Sequence, residues 1–285
     1  MQKQATRSRQ GIQSIEIGGR LLGALAAAAR PMMLKELAAA GHMSAPKAHR
    51  YLVSLVRTGL VEQEAGTGRY DLGAFALELG LAGLARLDPV RLGLEAIERL
   101  RDEIDVTVAL AVWANRGATI IRWLESSHPV NAALRAGAVL PLTRSATGRS
   151  FLAFRAPAAT APLVKAELAS NAREGIGPRT HAEVDRLVAD TRARGLARAE
   201  GELVDGISGL AAPVFDANGS MVLAMIALGY SGGFDARWEG GTAKALREAA
   251  AGLSRRLGFR NKETGVRDQE PGGPSERSKR AAFTP

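Results

Sequence analysis

Lys47, Arg50, Ser54 and Arg57 share one arc of a helix-spaced stretch, with His49 on its flank. Cations interspersed with a hydroxyl suit the phosphate oxygens and base edges of a nucleic acid. Ala48, Tyr51, Leu52, Leu55 and Val56 form the apolar stripe opposite. Taken alone, the stretch also fits an ordinary amphipathic surface helix with a solvated basic face. Residue types suited to covalent or metal chemistry are poorly arranged. His42, His49, His128 and His181 lack metal-ligand spacing. The chain has no cysteine, hence no thiol nucleophile, thiolate metal site or disulfide framework. Gly206-Ile207-Ser208-Gly209 is one residue short of a nucleophile elbow. Thr147-Gly148-Arg149-Ser150 lacks the Gly-x4-Gly-Lys frame of a phosphate-binding loop. Glu200, Glu202 and Asp205 read as solvated loop acids. No catalytic residue, cofactor or metal site is expected, and the chain is read as a non-enzyme.

The elements around the basic stretch give it a setting. Ser44 is suited to cap the helix, since its hydroxyl can accept from a first-turn amide. Pro46 is tolerated in a first turn, where amides have no intrahelical partner. Gly59 ends the helix. Upstream, residues 15–29 read as a helix broken by Arg30-Pro31, and 34–40 as a short helix. Gly41 is expected to make the tight turn between that short helix and the basic one. Downstream, 59–64 and 68–72 flank Ala65-Gly66-Thr67, a hairpin that carries Arg69. Residues 12–73 therefore read as a winged helix-turn-helix DNA-binding domain. Its contacts are expected from Ser44, Pro46, Lys47, His49, Arg50, Ser54, Arg57 and Arg69.

Charge agrees with that setting. In residues 1–58 nine Lys and Arg stand against Glu16 and Glu36, a net +7 of the chain's +9. A clustered positive field favours a polyanion through phosphate contacts and counterion release. Residues 1–11 are polar and aperiodic, a flexible arm or a plain disordered terminus, with Arg7 and Arg9 in reach of phosphate or a minor groove. No apolar run follows the basic start, so no secretory signal is read. No segment reaches the ~18 uninterrupted apolar residues of a membrane span. The expected location is the cytoplasm, with no membrane partner.

Residues 74–87 are apolar almost all round, and such a helix must be buried on more than one side. Segment 74–89 is read as a connecting and dimerising element burying Leu77, Leu81 and Leu84 between subunits. The other possibility is a helix folded back on its own domain. Asp88-Pro89 is expected to close it. Residues 90–104 read as another helix. Strands are expected at 106–113, 119–125, 130–136, 210–215 and 221–230, with a loop at 137–141. Asn218-Gly219 between two apolar runs is a strong hairpin signal. Helices are expected at 159–170, 181–194 and 236–257. Residues 259–285 read as a disordered tail. The fold class is α+β: a winged helix-turn-helix domain, a connecting helix, and an antiparallel-sheet domain over 90–258.

With these pieces in order, the chain resembles the IclR family of bacterial transcriptional regulators over about residues 12–257. The residues that carry the likeness are Ala48-His49-Arg50-Tyr51-Leu52, Gly59-Leu60-Val61-Glu62 and Gly68-Arg69-Tyr70-Asp71-Leu72-Gly73. In the second domain they are Leu140-Pro141-Leu142, Thr147-Gly148-Arg149 and 206–215. The resemblance implies a DNA-binding homodimer or homotetramer whose GAF-like domain binds a small carboxylate effector. The departures bear on specificity. Where family members often carry a Ser-Thr pair early in the recognition helix, this chain has Pro46-Lys47, so the operator should differ. Many members place Cys near Gly209 and hydroxyl residues where Ile226 and Leu228 stand. The effector site is expected among Trp113, Leu140, Ala146, Thr147, Gly148, Gly209, Ile226 and Leu228, with Arg149 near enough to assist. Apolar walls there favour an aromatic or alkyl carboxylic acid held by the Ala146-Thr147-Gly148 backbone. The alternative is a GAF-like metabolite sensor acting mainly through protein–protein contacts.

Overall fold

The computed structural model describes residues 11–130 and 134–260, and of Leu84 and Ala85 the backbone alone. The expectations for Arg7, Arg9, the side chain of Leu84, most of the arm, and the tail from 261 onward lie outside the described residues. The chain divides into two compact units between Leu87 and Asp88.

In the first unit α1 (Gln13–Ala28), α2 (Leu34–Ala40) and α3 (Ala45–Arg57) close around Leu21, Leu25, Leu37, Ala48 and Leu52. A hairpin of β1 (Val61–Gln63) and β2 (Tyr70–Leu72) follows, and Met32 exchanges two backbone hydrogen bonds with Tyr70. Gly41 does not make its turn by a left-handed backbone: its φ is −81°, and His42 takes the positive φ of 53°. Its surroundings are tight instead: a Cβ at Gly41 would lie 2.9 Å from Met43 Cε, 3.0 Å from Leu21 Cδ2 and 3.2 Å from Leu37 O, so those neighbours would have to shift. Ser44 holds the N-cap position of α3, but its hydroxyl makes no capping bond. The other end is closed as expected. Gly59 has φ +72°, its amide donates to Val56 O, and the Leu60 amide donates to Leu55 O, both at 3.0 Å. The last element is α4 (Ala74–Ala85), whose Phe75, Leu77, Leu79 and Leu81 are all exposed in the single chain.

The second unit is built on a five-stranded antiparallel sheet ordered β4-β3-β7-β6-β5. Its strands are β3 (Thr107–Ala114), β4 (Gly117–Leu124), β5 (Ala197–Glu200), β6 (Ile207–Phe215) and β7 (Met221–Tyr230). Its helices are α5 (Pro89–Ile104), α6 (Ala146–Phe154), α7 (Pro157–Glu174), α8 (His181–Arg194) and α9 (Gly241–Arg256). Helices α5 and α9 cover one face and α6 the other, so central strands are apolar on both sides. Asp88 opens α5 rather than closing the helix before it, since its carboxylate accepts from the Val90 and Arg91 amides. Of the strand expected at 130–136, residues 131–133 lie outside the description and 134–136 are not extended pairing. The pairing falls in the expected loop: Ile120 donates to Ala138 O, and Leu140 donates to Ala118 O. The last helix starts at Gly241, later than expected, and residues 197–200 form a strand the sequence pattern did not show. Phe259 belongs to the fold and not to the tail, its ring 5.0 Å from that of Phe215. Among the described residues no helix is long and apolar enough to cross a membrane.

Candidate functional site

In the first unit, α3 turns Ala48 and Leu52 into the core and leaves Ser44, Pro46, Lys47, His49, Arg50, Ser54 and Arg57 exposed. Tyr51 and Leu55 are half-buried, and Val56, expected in the apolar stripe, is exposed. The wing presents Arg69. Lys47, Arg50 and Arg57 have no ion-pair partner among the described residues, whereas Arg30 pairs with Glu36 at 3.0 Å and Arg69, without a direct contact, stands near enough for its charge to act on the same carboxyl. The Met33 amide and then Arg30 hold the Glu36 carboxyl below the usual carboxylate range. The exposed cations of α3 and the wing thus keep their hydrogen-bonding capacity for a phosphate or a base edge.

In the second unit a cavity open to solvent lies between the α6 N-terminus and the sheet. Residues 109, 199 and 211 are Ala and residue 209 is Gly, so this sheet face leaves space that larger side chains would fill. Of the expected site residues, Leu140, Ala146, Thr147, Gly209, Ile226 and Leu228 line the cavity. Trp113 and Gly148 do not. Trp113 lies near the β3–β4 turn, where it packs on Phe151 at 5.8 Å with the Arg155 guanidinium 5.2 Å from its ring centre. Gly148 serves packing, because a Cβ there would stand 2.1 Å from Pro141 O.

The aromatic wall is Trp123 instead. Simple alternation from Ile120 puts Trp123 on the opposite face. A bulge between Leu110 and Ala111 of β3 leaves Ile121 unpaired, so Ile120 opposes Ala111 while Trp123 opposes Ala109. Both then face the cavity. Sequence reasoning also missed Ala109, Leu134, Ser145, Ala199, Leu203, Val204 and Ile207 in the lining. The first of these was legible as a small residue on an alternating strand; the loop residues carry no local signal.

The polar end of the cavity is built by the first turn of α6. Ser145 caps it, accepting from the Gly148 amide at 2.8 Å and donating to Pro141 O at 2.7 Å. Gly148 therefore has no amide to offer a ligand. The Ala146 and Thr147 amides and the Thr147 hydroxyl have no partner among the described residues, and Thr147 is 2% exposed. From α7, Glu167 accepts from the Leu142 and Thr143 amides at 2.6 and 2.8 Å and fixes the segment leading into α6. Arg149 does not reach toward the cavity. It is buried and bonded to Glu202, which is consequently not a freely solvated acid. Two unpartnered amides at the positive end of a helix, set against apolar walls, suit a carboxylate on an apolar body.

Comparison with known proteins places both units. The family profile described as "Bacterial transcriptional regulator IclR C-terminal" matches residues 83–255, and that described as "IclR helix-turn-helix domain" matches 14–65. The glycerol operon regulatory protein of Streptomyces griseus is 30% identical, covering 87% of this chain and 98% of that one. The transcriptional repressor IclR of Escherichia coli strain K12 is 28% identical over 72% of this chain and 75% of its own. The crystal structure of Pseudomonas aeruginosa HmgR superposes with a TM-score of 0.79 at 36% identity, covering 87% of this chain and 99% of that one.

Proposed function

Because the chain belongs to the IclR family of bacterial transcriptional regulators, we propose that it binds a palindromic operator as a dimer or dimer of dimers, under control of a carboxylic acid effector. The observation that carries the reading is the row of exposed cations on α3 and the wing without ion-pair partners. Residues 12–73 are the DNA-binding domain, 74–89 the connecting segment, and 90–258 the GAF-like effector domain. Lys47, Arg50, Ser54 and Arg57 lie in the major groove, flanked by Ser44, Pro46 and His49, and Arg69 meets the backbone beside it. The effector is an aromatic or alkyl acid, its carboxylate on the Ala146 and Thr147 amides and its body against Ile226, Leu228 and Trp123. It regulates by binding two states of the assembly unequally. A DNA target puts the working protein in the cytoplasm.

Selection of duplexes from a random library by the purified protein tests this reading. A palindromic consensus is expected, with affinity that falls steeply as salt rises. On the selected duplex, Arg50→Ala should cost about 1–3 kcal/mol if it reads a guanine, and should relax specificity at that one position. No enriched sequence, or unchanged affinity for Arg50→Ala with the assembly intact, removes α3 from the reading role.

A further inference from the structure

The segment 201–206, between β5 and β6, closes one side of the cavity with Leu203 and Val204. Gly201 and Gly206 stand at its two ends, each with φ +73°, and a Cβ at either would meet nothing within 4 Å. These glycines therefore serve backbone conformation and not packing. The backbone bonds of the segment are made by Gly201, Val204 and Gly206. The Gly201 amide donates to Ile207 O at 2.9 Å, the Ile207 amide to Val204 O at 3.1 Å, and the Ser231 amide to Gly206 O at 2.9 Å. Among the described residues, positions 202–205 are tied to the rest of the domain by the packing of Leu203 on the core and by one polar side-chain link, from Glu202 to Arg149.

That link is built as a fastening. Arg149 is 6% exposed and held from behind: its Nε donates to Thr143 O at 2.9 Å and its Nη1 to Arg198 O. Toward the segment, Nη1 donates to Glu202 Oε1 at 3.0 Å and Nη2 to Glu202 Oε2, a two-pronged charge-assisted contact. The guanidinium end is held by two carbonyls, and the carboxylate end lies on a segment bounded at each side by a positive-φ glycine. Arg149 also lies on α6, two residues beyond Thr147, so the contact joins the segment carrying Leu203 and Val204 to the helix that forms the cavity's polar end.

We propose that segment 201–206 is the door of the cavity and that Glu202 is a positioning residue whose ion pair with Arg149 latches it shut. The door's role for a ligand rests on the cavity being the effector site; the latch does not. Hydrogen exchange on the full chain tests the latch without any ligand. Glu202→Gln removes the charge but keeps the size, and leaves Arg149 its two carbonyl acceptors. The Gly201 and Ile207 amides should exchange roughly tenfold faster, the factor for a loss of about 1.4 kcal/mol. Amides in the middle of β6 and β7 should not change, and Glu202→Asp, which keeps the charge, should fall between. In the unaltered protein the same two amides should speed up as salt rises, because Glu202 is 35% exposed. Unchanged exchange at Gly201 and Ile207 overturns the proposal. Equal acceleration through β6 and β7 overturns it too, since the pair would then be a general stabiliser. With benzoate as probe, stopped-flow tryptophan fluorescence should show association and dissociation both faster in Glu202→Gln, with affinity changed less than either rate. Failure of benzoate and alkyl acids to bind the unaltered protein counts against the effector reading, while the exchange data still decide the latch.

Discussion

Ile226 is 5% exposed, lines the cavity, and stands opposite Ala109 and Ala211 in the neighbouring strands. Its side chain is the apolar surface that an acid's hydrocarbon body meets in the proposed site. Ile226→Ser should weaken an aromatic or alkyl acid by about 1–2 kcal/mol through lost apolar burial. Operator binding without ligand should stay nearly unchanged, because Ile226 belongs to a different unit from α3. Calorimetry with a panel of acids decides the matter. Tight binding of glyoxylate or pyruvate together with no binding of benzoate-like acids would sink the apolar-pocket argument. At this scale the sequence was legible where a residue's place is set by its own strand or turn, as with Ile226, Leu228 and Thr147, which line the cavity. It was misleading at Trp113, which alternation puts on the correct face and which position along the strand carries away to Phe151.

Helix α4 differs from its neighbours in lacking a polar face. Leu77, Leu79 and Leu81 are 64%, 52% and 56% exposed in the single chain, and a contiguous apolar surface of this kind favours association with another apolar one. In the proposed assembly the cover is α4 of a second subunit. Leu81→Glu should then give a monomer by sedimentation, because it puts an unpaired charge in an apolar interface. The substitution should not unfold the chain, since residue 81 is exposed within it. Operator affinity should fall with the loss of simultaneous engagement of two half-sites. An unchanged mass for Leu81→Glu ends the dimerising assignment. The sequence was informative about α4 as an apolar helix, because its composition alone leaves no polar face. It was silent about β5, whose Ala197-Arg198-Ala199-Glu200 has little strand preference and is extended because β6 pairs with it.

Across the molecule, exposed and half-buried carboxyls are held charged by their neighbours. The Ser127 hydroxyl and amide lower Asp105, the Arg256 guanidinium lowers Glu95, and the Arg179 amide with Thr180 lowers Glu183. The Arg237 guanidinium takes Asp235 furthest, from 3.8 to about 2. Folding favours the charged form of each group, so the stability they add is present above the ordinary carboxylate range and is lost as pH falls through it. Urea midpoints should therefore drop on acidification, and Asp235→Asn should flatten the part of that drop lying between pH 3.8 and about 2. A profile identical to that of the unaltered protein in this window would mean that the Asp235–Arg237 pair adds nothing to folding.

The amino-acid sequence by itself determined the features whose physics is local. Helical spacing and an end at Gly59 set α3, a glycine-containing turn set the wing, and Asn218-Gly219 set the β6–β7 hairpin. The family likeness followed from the order of those local pieces. Tertiary structure alone decided the cavity's furnishing. A single bulge turned Trp123 inward, pairing with β6 made β5 a strand, and Arg149 met a carboxylate 53 residues away instead of facing a ligand. These outcomes depend on which strands become neighbours and on how closely α6 approaches the sheet. Periodicity registers which side of an element is apolar; it carries no record of what stands opposite, so contacts between distant segments are settled only when the layers pack.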